Sequence, residues 1–250
     1  MMDSFKKIIL ISLSLITLLS INGCRKKYFA TAEDESSYGW DMYEEGDYLK
    51  SKNWFYNSIA TDKKWKDGYN GLGWSEAMLM EMDSLDTENI GAIRNFHRGL
   101  TFPYTENDIL YYDYPKDKGK DIDSLFTQQD VHLEILAGLT FAYQANGNNK
   151  ETVKFGTALI DSTKSNSLDT PFRPWEFSHD PKINHLDIRV ALASSYFALG
   201  KFDSTHVHLK VVINELNVSD ITLITEYSTL AGRQEVAKQI KTLQELLRQQ

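Results

Sequence analysis

Histidine, cysteine and carboxylate chemistry requires those groups to converge, and this sequence offers few places where they do. His206 and His208 lie two apart in a stretch with helical periodicity, so they leave different faces and do not share one ion. The His132-x-Glu134 spacing would suit a zinc site in which the glutamate shuttles protons, but the Pro-Cys-x-x-Cys that must complete such a site is absent. His179, Asp180, His185 and Asp187 fall close together, where a metal is conceivable and loop or cap roles are the better reading. There is no His-Glu-x-x-His, no Gly-x-Ser-x-Gly and no phosphate-binding glycine loop. The single cysteine, Cys24, closes an N-terminal apolar run and is not placed to be a nucleophile. These residues give no active site, no metal and no cofactor, and the sequence is read as that of a non-enzyme.

The elements that would position any site are helical. From Leu186 to Leu216, apolar residues recur at helical spacing through Ile188, Leu192, Tyr196 and Leu199, then through Phe202, Leu209, Val212 and Ile213. Gly200 separates the two runs at a place where a helix end needs a left-handed residue. The spacing predicts two amphipathic helices joined by a tight turn, a hairpin that needs neighbours to bury its apolar side. The spacing of Tyr196, Gly200 and Phe202 recurs at Tyr143, Gly147 and Asn149, and again at Met42, Gly46 and Tyr48. A fourth copy reads Tyr69-x-x-Leu72-Gly73, followed after an insertion by Ala92-x-x-x-Phe96 and Pro103.

On these residues the chain resembles the tetratricopeptide repeat (TPR) family, whose first helix carries an aromatic, Leu-Gly and Tyr, and whose second carries Ala-x-x-x-Phe and a closing Pro. The expected fold is all-α: a TPR-like helical-hairpin solenoid of about four degenerate repeats, at 32–65, 66–105, 133–166 and 186–218. The first two begin 34 residues apart, the period of the family. Insertions at 106–129 and 167–185 break the later spacing, and the repeats depart from the pattern at Ser51, Ser58 and Glu76. An irregular helical bundle is the competing reading. Val236, Ile240, Leu243 and Leu247 form one stripe within 232–250, as a C-terminal capping helix requires. The insertions are rich in aromatic residues, notably Pro171–His179, and are expected to fold back onto the scaffold or, less readily, to bind a ligand directly.

Upstream, Lys6 and Lys7 precede the apolar run Ile8–Ile21, too short for a comfortable membrane span and suited to an export signal. Its end, Ile21-Asn22-Gly23-Cys24, resembles the lipobox of bacterial lipoproteins. That resemblance implies a signal peptide over 1–23, a lipidated Cys24, a tether over 24–31 and a helical domain over 32–250. It also implies a membrane anchor in the bacterial cell envelope. Arg25 stands where an Asp would favour retention at the inner membrane, so the outer membrane, facing the periplasm, is expected. With no second cysteine, the fold must hold by packing alone.

The resemblance also implies where a partner binds. TPR first helices line the concave groove at repeat positions 2, 5, 9 and 12. Here these give Glu33, Asp67, Glu134 and Asp187 as acidic members, with Asn70 beside them, and Trp40, Trp74 and Phe141 followed by Tyr43, Gln144 and Phe197. The expected partner is a protein or peptide, favoured if basic, although acidic first turns also suit helix dipoles and the aromatics also suit a core. A net charge of −8 argues against nucleic acid, which calls for a basic patch. The expected role is a membrane-anchored scaffold. The alternatives are a structural subunit of an envelope assembly machine, or a glycan-binding lipoprotein using Trp40, Trp74 and Trp175.

Overall fold

Nine helices appear among the residues that the computed structural model describes, which are 29–82, 91–103, 128–163, 174–217 and 221–249. In chain order they are α1 (Ala32–Glu44), α2 (Tyr48–Thr61), α3 (Lys66–Met78), α4 (Ala92–Leu100), α5 (Gln128–Ala145), α6 (Asn149–Ser162), α7 (His185–Ala198), α8 (Phe202–Leu216) and α9 (Leu230–Leu247). The apolar run at Ile8–Ile21, Cys24 and most of the first insertion lie outside the described residues. No described helix is long and apolar enough to cross a membrane.

Helix starts follow from side chains that satisfy otherwise orphaned N–H groups. Thr31 and Asp34 form a reciprocal capping box at α1, as do Asn184 and Asp187 at α7. Three hairpins turn the same way, with Gly46, Gly147 and Gly200 left-handed at φ 81°, 72° and 71°. In each, the next residue's N–H returns to a carbonyl five residues back: Asp47 to Met42, Asn148 to Tyr143 and Lys201 to Tyr196, all at 2.9 Å. This closure caps the last carbonyls and reverses the chain.

The helices pack as successive pairs: α1 with α2, α3 with α4, α5 with α6 and α7 with α8. Each second helix packs on the first helix of the next pair, and the first helices touch each other in sequence, α1–α3–α5–α7. That neighbour-only connectivity makes Thr31–Gln250 an all-α, TPR-like solenoid. α9 closes it by packing on α7 and α8 through Val236, Ile240, Leu243 and Leu247.

One packing device repeats. The ring of Phe55 on α2 is so close to Gly71 on α3 that a Cβ there would lie 2.0 Å from it. The ring of Phe96 on α4 stands likewise 2.2 Å from a Cβ at Gly138 on α5. Phe55 and Phe96 thus each fill a notch that only glycine leaves open, and pin the next pair.

The departures from the family pattern compensate one another. Ser51 Oγ donates to Gly39 O and meets Ser75 Oγ, and Ser58 Oγ donates to Ala32 O and meets Ser36 Oγ, all at 2.8 Å. Glu76, fully buried, accepts from Asn95 Nδ2 at 2.6 Å and Gly91 N at 3.2 Å, with Lys52 Nζ at 3.3 Å; burial raises its pKa. The small polar residues at these seams therefore replace apolar ones with their hydroxyls paired.

Candidate binding groove

The inner face of the first helices carries a continuous polar chain. Trp40 Nε1 on α1 donates to Asp67 Oδ2 on α3 at 2.9 Å. Asn70 Nδ2 donates both to Asp67 Oδ1 at 3.2 Å and to Glu134 Oε2 on α5 at 2.7 Å. Trp40, Asp67, Asn70 and Glu134 are each 0% exposed. Carboxylates so placed persist only when donors meet them, and the indole and amide supply those donors across two helix seams. Tyr43 stands beside them, its phenol pKa raised by burial and by the nearby Tyr48, Asp180 and Glu134.

The face is filled by the chain itself. Residues 174–184, from the second insertion, approach it with Trp175, Phe177 and His179 buried, Ser178 and Asp180 half-buried and Glu176 exposed. The Phe177 ring stacks on Trp74 at 4.2 Å and meets Trp40 and Tyr43 edge-on at 6.0 Å each. His179 lies parallel to Trp40 at 3.6 Å, with Nδ1 3.3 Å from Glu44 Oε1. Between them Ser178 N donates to Glu134 Oε1 at 3.2 Å. The segment also closes on itself, pairing Glu176 with Asn184 in an isolated antiparallel bridge, with Phe177 N donating to Ile183 O and His185 N to Trp175 O, both at 2.8 Å.

The structure thus brings together Trp40, Tyr43, Asp67, Asn70, Trp74 and Glu134, with Phe141 at the margin, 6.2 Å from Trp74. It does not bring the other residues of the expected groove to this cluster. Glu33 is half-buried in the first turn of α1, and Gln144 is half-buried near the end of α5. Asp187 caps α7, accepting from Asn184 N at 2.9 Å, and its pKa is raised by burial. Phe197 packs in the second core, edge-on to Phe202 at 5.6 Å. Asp67 and Glu134 face the helix seam, so the solvent-facing acidic rail expected from the repeat positions is not formed by them. Trp40, Trp74 and Trp175 are at most 5% exposed, so none offers the open ring face that sugar stacking needs.

No family model matches the chain, and no curated protein matches it. A crystal structure of a Podosopora anserina protein assigned as a kinesin light chain with nearly identical TPR-like repeats is similar at 13% identity, with a TM-score of 0.47, covering 89% of this chain and 100% of that one.

The histidines single out no metal centre. His179 faces α1, whereas His185 turns to α8, with Nε2 2.6 Å from Glu215 Oε2, and His208 stacks on Tyr196 at 5.6 Å. Among the described residues, no group of three or more His, Cys, Asp or Glu side chains is placed to hold an ion. Phe177, His179, Ser178 and Glu44 complete the groove and are not among the residues that repeat positions select. The signal for three of them is in the sequence: Trp-Glu-Phe-Ser-His alternates with period two inside an otherwise helical chain.

Proposed function

We propose that the chain is a lipid-anchored scaffold of the bacterial cell envelope, held to the outer membrane through Cys24 and facing the periplasm, whose solenoid binds a protein or peptide partner. The anchor rests on Lys6, Lys7, the apolar run to Ile21 and the Gly23-Cys24 junction. More than one acyl chain at the N-terminus would make that attachment stable. A scaffold fixed at a surface concentrates its partner there without turnover chemistry.

The observation that carries the binding reading is the engagement of the inner face with polypeptide. Phe177 enters a box of Trp40, Tyr43 and Trp74, while the neighbouring Ser178 N–H meets the Glu134 carboxylate. Aromatic anchors in a closed box, with a backbone donor fixed between them, are the components of peptide recognition.

A second reading, a permanent subunit of an envelope assembly machine, is favoured by the exposed Tyr38, Leu49, Tyr56, Met78 and Met80, all on or beside the first three helices.

Crosslinking in the native cell, followed by purification of the membrane fraction and mass spectrometry, tests the proposal. One or a few envelope proteins recurring at fixed ratio would support it, and a Cys24→Ser variant should lose both lipid labelling and that recovery. Recovery of no envelope protein above background, or lipid labelling that persists without Cys24, would overturn it.

A further inference from the structure

We propose that residues 174–184 are a built-in ligand of the groove, and that the partner enters by displacing them with a peptide segment of the same chemistry. That chemistry is an aromatic side chain, a free backbone N–H on the next residue and an imidazole on the one after. The inference rests on the peptide-binding reading above and deepens it by naming what the peptide must carry.

Three features separate this segment from an ordinary core element. It is a non-helical segment closed by an isolated bridge between Glu176 and Asn184, and it enters the face formed by first helices of three successive pairs. Its backbone is closed within itself and to α7: Phe177 N to Ile183 O, Ile183 N to Asp180 O at 2.9 Å, and His185 N to Trp175 O. Withdrawing the segment as a unit therefore leaves those bonds intact. What it gives to the groove is the side chains of Phe177 and His179 and the backbone N–H of Ser178, which is a set that an incoming peptide could also offer.

The groove, in turn, reads each position separately. Trp74 offers a stacking face and Trp40 and Tyr43 offer edges to the aromatic ring. Glu134 Oε1 accepts the backbone N–H, while its Oε2 is oriented by Asn70. The other face of the Trp40 site takes a flat ring at 3.6 Å, beside the Glu44 carboxylate, which selects an imidazole over an aliphatic side chain. A partner lacking the aromatic would leave the box underfilled, and one with proline after the aromatic would leave Glu134 without its donor.

The test uses a synthetic peptide of residues 174–184 titrated into the full chain, read by tryptophan fluorescence and isothermal calorimetry. The wild type, occupied by its own segment, should bind weakly. Phe177→Ala should bind about tenfold or more tightly, His179→Ala should fall between, and a peptide with the phenylalanine replaced by alanine should bind neither. Equal, weak binding by all three folded proteins would overturn the proposal. If both variants lose their helical circular dichroism and added peptide does not restore it, the segment is a permanent core element and the proposal fails as well. Dimers appearing in Phe177→Ala without added peptide would replace the partner by a second copy and overturn the assignment to a foreign segment. The scaffold reading fails independently, when crosslinking recovers no partner although the peptide binds; a partner captured equally by wild type and both variants sinks only the displacement.

Discussion

His179 lies flat on Trp40, with ring centroids 3.6 Å apart and planes within 5° of parallel. The contact joins an insertion to the first helix of the solenoid across most of the chain, and it covers the indole whose Nε1 is committed to Asp67. His179→Ala should lower stability by about 1 kcal/mol, the worth of an aromatic pair beyond its area, while His179→Phe should retain most of it. Urea denaturation of both variants checks this. An alanine variant as stable as the wild type would mean that the stack contributes nothing.

The glycine notches make a sharper prediction. A methyl group at Gly71 would sit 2.0 Å from the Phe55 ring, so Gly71→Ala must push that ring or separate α2 from α3. A loss of about 3 kcal/mol is expected. Gly46→Ala, at φ 81° with open space around it, should cost only about 1 kcal/mol of backbone strain. Phe55→Leu should lose stability alone yet recover part of the loss when combined with Gly71→Ala. Thermal melts of the two singles and the double give the coupling directly.

The helices were legible because their periodicity and turn glycines are local signals, and Gly46, Gly147 and Gly200 occupy the same left-handed step in three hairpins. The helix starts were less so: α5 begins at Gln128, ahead of the repeat boundary at 133, and α9 begins at Leu230 because Thr229 caps it through Gly232 N. The groove was half legible. Repeat positions select Trp40, Asp67, Asn70, Trp74 and Glu134, but a position says which way a side chain points, and not whether something covers it. Burial of that face depends on residues more than a hundred positions away from Trp40, whose alternation is visible while their docking site is not. Asp187 shows the opposite failure, since it occupies the groove position of its repeat and is spent on the capping box of α7.

Asn70 Nδ2 bridges two buried carboxylates, through bonds of 3.2 Å to Asp67 and 2.7 Å to Glu134. Asn70→Ala removes one donor from each and should cost about 2 kcal/mol, with Asp67 keeping Trp40 Nε1 and Glu134 keeping Ser178 N. Asn70→Asp would add a third carboxylate to the cluster. Like charges raise each other's pKa, so the folded variant would bind protons more tightly than the unfolded chain. Its stability should therefore rise as pH falls from 7 towards 5, opposite to the ordinary acid response of buried, paired carboxylates. Denaturation of variant and wild type at pH 7 and pH 5 decides this; an equal change in stability for the two would show that the carboxylates do not feel one another.

Lys66 and His132 should each put a slope into the pH profile of the wild type, the acid one opposed by the raised carboxyls of Glu76 and Asp187. Lys66 is 3% exposed, its Nζ donating to Gly99 O at 3.1 Å and Phe102 O at 3.0 Å, and burial lowers its pKa from 10.5 to about 8. Burial, with the Lys66 charge adding to it, lowers His132 from 6.5 to about 4. Both are bases held below their unfolded values, so within each window the unfolded chain carries more protons and stability rises with pH. From His132 the rise runs between pH 4 and 6.5, and from Lys66 it begins near pH 8 and continues towards 10.5. Lys66→Met should remove the alkaline rise, worth about 3 kcal/mol across its window, whatever the variant costs through the two carbonyls it leaves without the ammonium. His132→Gln should remove the acid one. Because the ammonium is also a cause of the His132 shift, Lys66→Met should in addition make the acid slope shallower. Guanidinium chloride unfolding at pH 4.5, 6.5, 8 and 9.5 measures all three effects, and parallel profiles for wild type and Lys66→Met would show that the buried ammonium is not the origin of the alkaline slope.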